Sequence, residues 1–95
     1  MDELKAPRPL AVVTGASSGI GYHLARIAAE HGYDLVVAAD RPLDDAVQAF
    51  QAAGAQQVDA LQTELASKQG VDDLIARLQG REVDALLANA GHGLG

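Results

Sequence analysis

The stretch VVTGASSGIGYHLA, residues 12–25, places Gly15, Gly19 and Gly21 between a β-branched run and an apolar-periodic segment. A strand-to-helix turn of this kind presents bare backbone N–H groups at a helix N-terminus. Those donors have no partner inside the helix and carry partial positive charge, which suits a phosphate or pyrophosphate. Gly15 permits a tight turn after the strand, Gly19 lets a ligand approach the backbone, and Gly21 lets helix and strand pack closely. Ser17 and Ser18 add hydroxyl donors. Two literal phosphate motifs are absent. G-x-G-x-x-G fails because Leu24 follows where a glycine would stand, and no Gly-Lys-Ser/Thr follows Gly15. A glycine cluster alone also reads as a purely structural turn.

Working outward, four strand-length apolar runs appear: LAVVT (residues 10–14), LVVAA (35–39), QVDALQ (57–62) and VDALLAN (83–89). The first two are nearly unbroken, as in strands buried on both faces of a parallel sheet. The third alternates, which predicts an edge strand covered on one side.

Three helical patterns separate the runs. Ile20, Leu24, Ile27 and Ala28 recur at helical spacing and stop at Gly32. Leu43, Ala46, Val47 and Phe50 follow, with Pro42 expected in the first turn and Gly54 past the end. Val71, Leu74, Ile75 and Leu78 repeat the pattern, with Ser67 as N-cap and Gly80 as stop. Asp44, Asp45, Asp72 and Asp73 are expected in first turns, where the helix dipole favours them. The order β-α-β-α-β-α-β implies right-handed crossovers and one Rossmann-type α/β parallel sheet, strand order 3-2-1-4, truncated after the fourth strand.

Asp40 ends the second strand, 19 residues after Gly21. An acid about 20 residues beyond the glycine turn can accept from ribose hydroxyls and repel a 2′-phosphate. Arg41, next to it, could instead hold that phosphate. Asp40 also reads as a helix cap before Pro42.

Composition narrows the function classes. The 95 residues suit one small domain: a flexible lead-in over residues 1–9, then a half-domain over 10–95. The net charge of −6 argues against nucleic-acid binding. Cysteine is absent, which removes disulfides, thiolate catalysis and cysteine zinc sites, and fits a reducing cytosol. A cytoplasmic location is expected. No segment approaches the roughly 18 apolar residues of a membrane span, so no membrane partner is expected.

With both glycine-bearing turns in view, the sequence resembles the short-chain dehydrogenase/reductase family. TGASSGIG (residues 14–21) matches the family pattern T-G-x-x-x-G-x-G, and ANAG (88–91) matches N-N-A-G with Ala88 in place of the first Asn. The likeness extends from Leu10 to Gly95. It implies an NAD or NADP cofactor, with NAD slightly favoured. It further implies that Thr14 bonds backbone near the turn. Gly15, Ser17, Ser18, Gly19, Ile20 and Gly21 would surround the adenosine ribose and pyrophosphate. Asp40 would select NAD, although it sits one place beyond the usual end-of-strand acid, a position held here by Ala39. Glu64 falls where the family often has an adenine-contacting Asp, and Leu65 supplies the adjoining backbone contact. Asn89, Ala90 and Gly91 would line the floor under the cofactor ribose.

The family's Tyr-x-x-x-Lys pair and upstream Ser, which exchange a proton with substrate during hydride transfer, lie beyond the fourth strand and are not in this sequence. Tyr22 and Arg26 mimic the spacing, but a guanidinium does not deprotonate in proteins, and the pair lies on the phosphate helix. No catalytic residue is therefore assigned. His23, His31 and His92 lack metal-ligand spacing and read as surface histidines, with His92 nearest the ligand-binding end of a strand. Asp72 and Asp73 read as a solvated helical turn. The leading expectation is the cofactor-binding part of an oxidoreductase, inactive alone. The alternatives are a dinucleotide-binding or interaction module that self-associates through the open edge of its fourth strand, and an S-adenosylmethionine site.

Overall fold

The computed structural model describes residues 8–17 and 19–87. Four parallel strands alternate with three helices: β1 (Leu10–Thr14), α1 (Gly19–Glu30), β2 (Asp34–Ala39), α2 (Asp44–Ala53), β3 (Val58–Gln62), α3 (Lys68–Leu78) and β4 (Ala85–Leu87). The sheet order is β3-β2-β1-β4, as the alternation of elements predicts. The register pairs Leu10 with Asp34, Leu35 with Val58, and Ala11 with Ala85. β1 and β2 are central and almost wholly buried, which explains their unbroken apolar runs. β3 is an edge strand, half-buried over most of its length.

Side chains alternate across the sheet, and this splits the core in two. Ala11, Val13, Leu35, Val37 and Ala39 pack with α1 and α2 around Phe50. Leu10, Val12 and Val36 face the other way, against Leu74 and Leu78 of α3. Tyr22 of α1 meets Phe50 of α2 with ring centroids 5.4 Å apart, close enough for a favourable tilted aromatic contact.

Several sequence expectations need correction. The buried face of α1 consists of Gly21, Ala25, Ala28 and Ala29. Ile20 and Ile27, expected on the core stripe, are 70% and 38% exposed. Small residues let this helix lie close to the sheet, and the larger ones are turned outward. α2 begins at Asp44 with Leu43 as N-cap, so Pro42 precedes the helix and Asp40 does not cap it. α3 begins at Lys68, which moves Asp72 and Asp73 out of its first turn. There Asp72 pairs with Lys68 at 3.0 Å, and Asp73 accepts from Gln69 at 2.9 Å. These are i, i+4 side-chain contacts. Ser67 does cap α3, accepting from the Gly70 N–H, and Gly80 lies just past its end with φ 77°. β4 begins at Ala85, two residues later than expected; just before it Asp84 donates its N–H to the Leu10 carbonyl and accepts from the Leu10 N–H on its carboxylate, both at 2.9 Å.

The N-terminal ends of the strands are tied at Asp34. Its carboxylate accepts from Arg8 Nε at 2.9 Å and from the Gln56 and Gln57 N–H groups at 3.1 Å each. Arg8 also donates to the Gly54 carbonyl at 2.9 Å. Burial alone raises the Asp34 pKa, but the hydrogen bonds from Arg8, Gln57 and Gln56 and the Arg8 charge outweigh it and hold it below the usual value. On the α3 side of the sheet, Asp59 of β3 accepts from both Arg77 and Arg81. Among the described residues no helix is long and apolar enough to cross a membrane.

Candidate functional site

Parallel strands all deliver their C-terminal ends to one rim of a sheet, and α/β folds bind ligands there. Here that rim receives Gly15 after β1, Asp40 after β2, and Thr63 and Glu64 after β3. Ser18, Asn89, Ala90, Gly91 and His92 lie outside the described residues.

The glycine turn is built as its sequence implies. Gly15 and Gly19 have φ of 67° and 65°, a left-handed conformation that costs an L side chain roughly 1–2 kcal/mol. A Cβ on Gly19 would meet nothing within 4 Å among the described residues outside its chain neighbours. Gly21 is buried against the sheet. The Gly15 and Ala16 N–H groups both donate to the Ala38 carbonyl, at 2.7 and 3.3 Å. These two amides pin the turn to β2 and are not offered to an anion. The amides opening α1, which begin at Gly19, lack intrahelical acceptors and are the donors left in this turn. Ile20, 70% exposed, stands beside them.

Asp40 and Arg41 are both exposed, and neither has a hydrogen-bond or ion-pair partner among the described residues. A carboxylate left free at the end of β2 retains its full capacity to accept from ribose hydroxyls. Glu64 is also exposed, and Leu65 is half-buried. Thr63 N–H donates to the Ala39 carbonyl at 2.8 Å, so the β2–β3 pairing runs one rung past Gln62 and ties the loop bearing Glu64 to the residue before Asp40. These groups fit a dinucleotide: amides at the start of α1 without intrahelical acceptors, and a carboxylate at Asp40 with no partner among the described residues.

The residues expected elsewhere behave as surface or core. Tyr22 packs on Phe50 and Arg26 pairs with Glu30 at 3.5 Å, which leaves no proton-transfer pair on α1. His23 and His31 are exposed. Among the described residues no cluster of His, Cys, Asp or Glu could hold a metal. One site feature escaped sequence reasoning. Ser67 is legible as a cap, but its grip on the Glu64 carbonyl and the tight fit of Gly70 beside it are not. A glycine three residues after a capping serine was the available signal.

A four-stranded 3-2-1-4 sheet with a glycine turn opening its first crossover defines a Rossmann-type α/β unit. Comparison with known proteins makes the class specific. The short chain dehydrogenase family profile matches residues 9–95, and the chain belongs to that family.

None of the curated proteins matches the sequence. Among solved structures, it is similar to the bulky-bulky ketone specific alcohol dehydrogenase from Comamonas testosteroni (29% identity, TM-score 0.83, covering 95% of this chain and 38% of that one). It is similar to L-sorbose reductase from Gluconobacter frateurii, complexed with NADPH and L-sorbose (30%, TM-score 0.83, 92% and 35%). A third is the 3-oxoacyl-[acyl-carrier protein] reductase from Brucella melitensis in complex with NAD (30%, TM-score 0.79, 94% and 36%). The chain thus spans little more than a third of the length of each.

Proposed function

We propose that this chain is the cofactor-binding part of an NAD(P)-dependent oxidoreductase acting between alcohols and carbonyls. One observation carries the reading: the open glycine cradle at the start of α1 lies on the same rim as the unpartnered carboxylate of Asp40. The α1 amides and Ser17 would hold the pyrophosphate, Ile20 would cover the adenosine side, and Asp40 would accept from the ribose hydroxyls. Glu64 and Leu65 would meet the adenine, and Ser18, Asn89, Ala90 and Gly91 would complete the cleft. The bound nicotinamide would supply or take a hydride. The proton-exchanging tyrosine and lysine of the family are not among these residues, so the chain alone is inactive on alcohols and ketones. The reading includes a cytoplasmic location.

Asp40 favours NAD over NADP because its charge opposes a 2′-phosphate, while Arg41 favours the reverse. Isothermal titration of the 95-residue chain with both cofactors tests the balance. NAD should bind more tightly, and Asp40→Ala should weaken NAD about tenfold, the loss of one or two charge-assisted hydrogen bonds. Tighter NADP binding would give the selection to Arg41. Turnover of an alcohol by this chain would overturn the claim of inactivity.

A second reading has its own observation: Leu86 is 65% exposed on β4, whose outer edge has no partner strand among the described residues. An open edge with apolar side chains invites pairing with another chain. A discrete dimer by light scattering would support a self-pairing module; a monomer that binds NAD would remove it.

A further inference from the structure

The loop between β3 and α3 is held with more care than a surface connection requires. The Glu64 carbonyl accepts from Ser67 twice, from its N–H at 3.1 Å and from its hydroxyl at 2.8 Å. The same hydroxyl accepts from the Gly70 N–H at 3.0 Å. Gly70 is the one buried residue of α3. A Cβ there would lie 2.0 Å from the Glu64 oxygen, 2.7 Å from its carbonyl carbon and 3.0 Å from Thr63 Oγ1. Its backbone is ordinary helix, so the glycine is needed for space rather than for conformation. On the other side, Thr63 N–H is bonded to the Ala39 carbonyl. The Glu64 peptide is therefore fixed from three directions. The next amide, Leu65 N–H, has no acceptor among the described residues.

We propose that Ser67 and Gly70 are positioning residues for purine recognition: by clamping the Glu64 carbonyl they set a carboxylate acceptor and a neighbouring amide donor to read a purine bearing a 6-amino group. This rests on the cofactor reading above. A carboxylate only accepts hydrogen bonds, so it favours the amino group of adenine and disfavours the carbonyl of hypoxanthine. The specificity belongs to Glu64 and Leu65, while its accuracy belongs to two residues that never touch the ligand.

The test is the ratio of affinities of this chain for NAD and for nicotinamide hypoxanthine dinucleotide, measured by titration calorimetry. The wild-type chain should prefer NAD by about tenfold, roughly one charge-assisted hydrogen bond. Ser67→Ala should bring that preference close to one, and Ser67→Thr, which keeps the hydroxyl, should retain it. Gly70→Ala should act like Ser67→Ala, provided circular dichroism shows native helix content; Ser67→Ala serves alone if it does not. A merely structural role would weaken both ligands equally. If the wild-type chain binds NAD and Ser67→Ala leaves the ratio unchanged, the positioning role is wrong and the cofactor reading stands. If the wild-type chain binds neither dinucleotide, both fall.

Discussion

The two faces of the sheet are built to different standards. On one, α1 and α2 close over Ala11, Val13, Leu35, Val37 and Ala39, with Phe50 fully buried at the centre. On the other, Leu74 and Leu78 of α3 pack on a smaller apolar cluster of Leu10, Val12 and Val36. There Val71 and Ile75 remain 41% and 53% exposed, and Leu86 more so. The same strands serve both faces, so the difference lies in the helical cover. The closed face holds the molecule together and fixes the glycine turn; the open one supplies little beyond the α3 connection.

The largest expected effect lies on the closed face. Phe50→Ala should cost about 3–5 kcal/mol in urea unfolding, as for a large buried aromatic, whereas Leu74→Ala should cost about 1 kcal/mol because that side chain is only partly covered. Equal losses would erase the distinction between the faces. A smaller effect sharpens it through the clasp at Asp34, which joins β2 to the α2–β3 turn at the N-terminal ends of the strands. Its lowered pKa means that the stabilisation is present above the unfolded-state value, about 4, and disappears as pH falls through the folded value. Asp34→Asn should therefore lower the urea midpoint at pH 7, and the gap from wild type should narrow at pH 3. A constant gap would show that the ionised carboxylate is not favoured by its partners in the folded state. Smallest of all, Ile75→Gln on the open face should change stability by less than about 0.5 kcal/mol, the range for an exposed position. A larger loss would mean that this side is covered in solution.

Legibility in the sequence followed the same divide. β1 and β2 announced themselves because burial on both faces leaves no polar position in the run. The glycine turn was legible because Gly15 and Gly19 occupy a backbone region that other residues avoid. The α1 stripe was misread. Periodicity follows large side chains, but the helix buries Ala25, Ala28 and Ala29 and turns Ile20 and Ile27 outward. Hydropathy patterns have no term for how closely two backbones approach. Capping geometry was legible at Ser67, where side-chain chemistry dictates it. It was misjudged around Pro42, where Leu43 makes no side-chain cap bond and nothing local marks the boundary. The contacts of Arg8 with Asp34 and Gly54 span 26 and 46 residues, and no local pattern encodes a partner that far away.

The alanines of α1 also have leverage at a distance. Ala29 lies ten residues from Gly19, about 15 Å along a helix axis, and its carbonyl sits 2.6 Å from where a Cβ on Gly54 would stand. A methyl group added at Gly54 would force this turn or the end of α1 to shift, on top of the strain of a side chain at φ 139°. The seat of α1, the helix that opens at the glycine turn, is thereby tied to the size of a residue in the turn before β3.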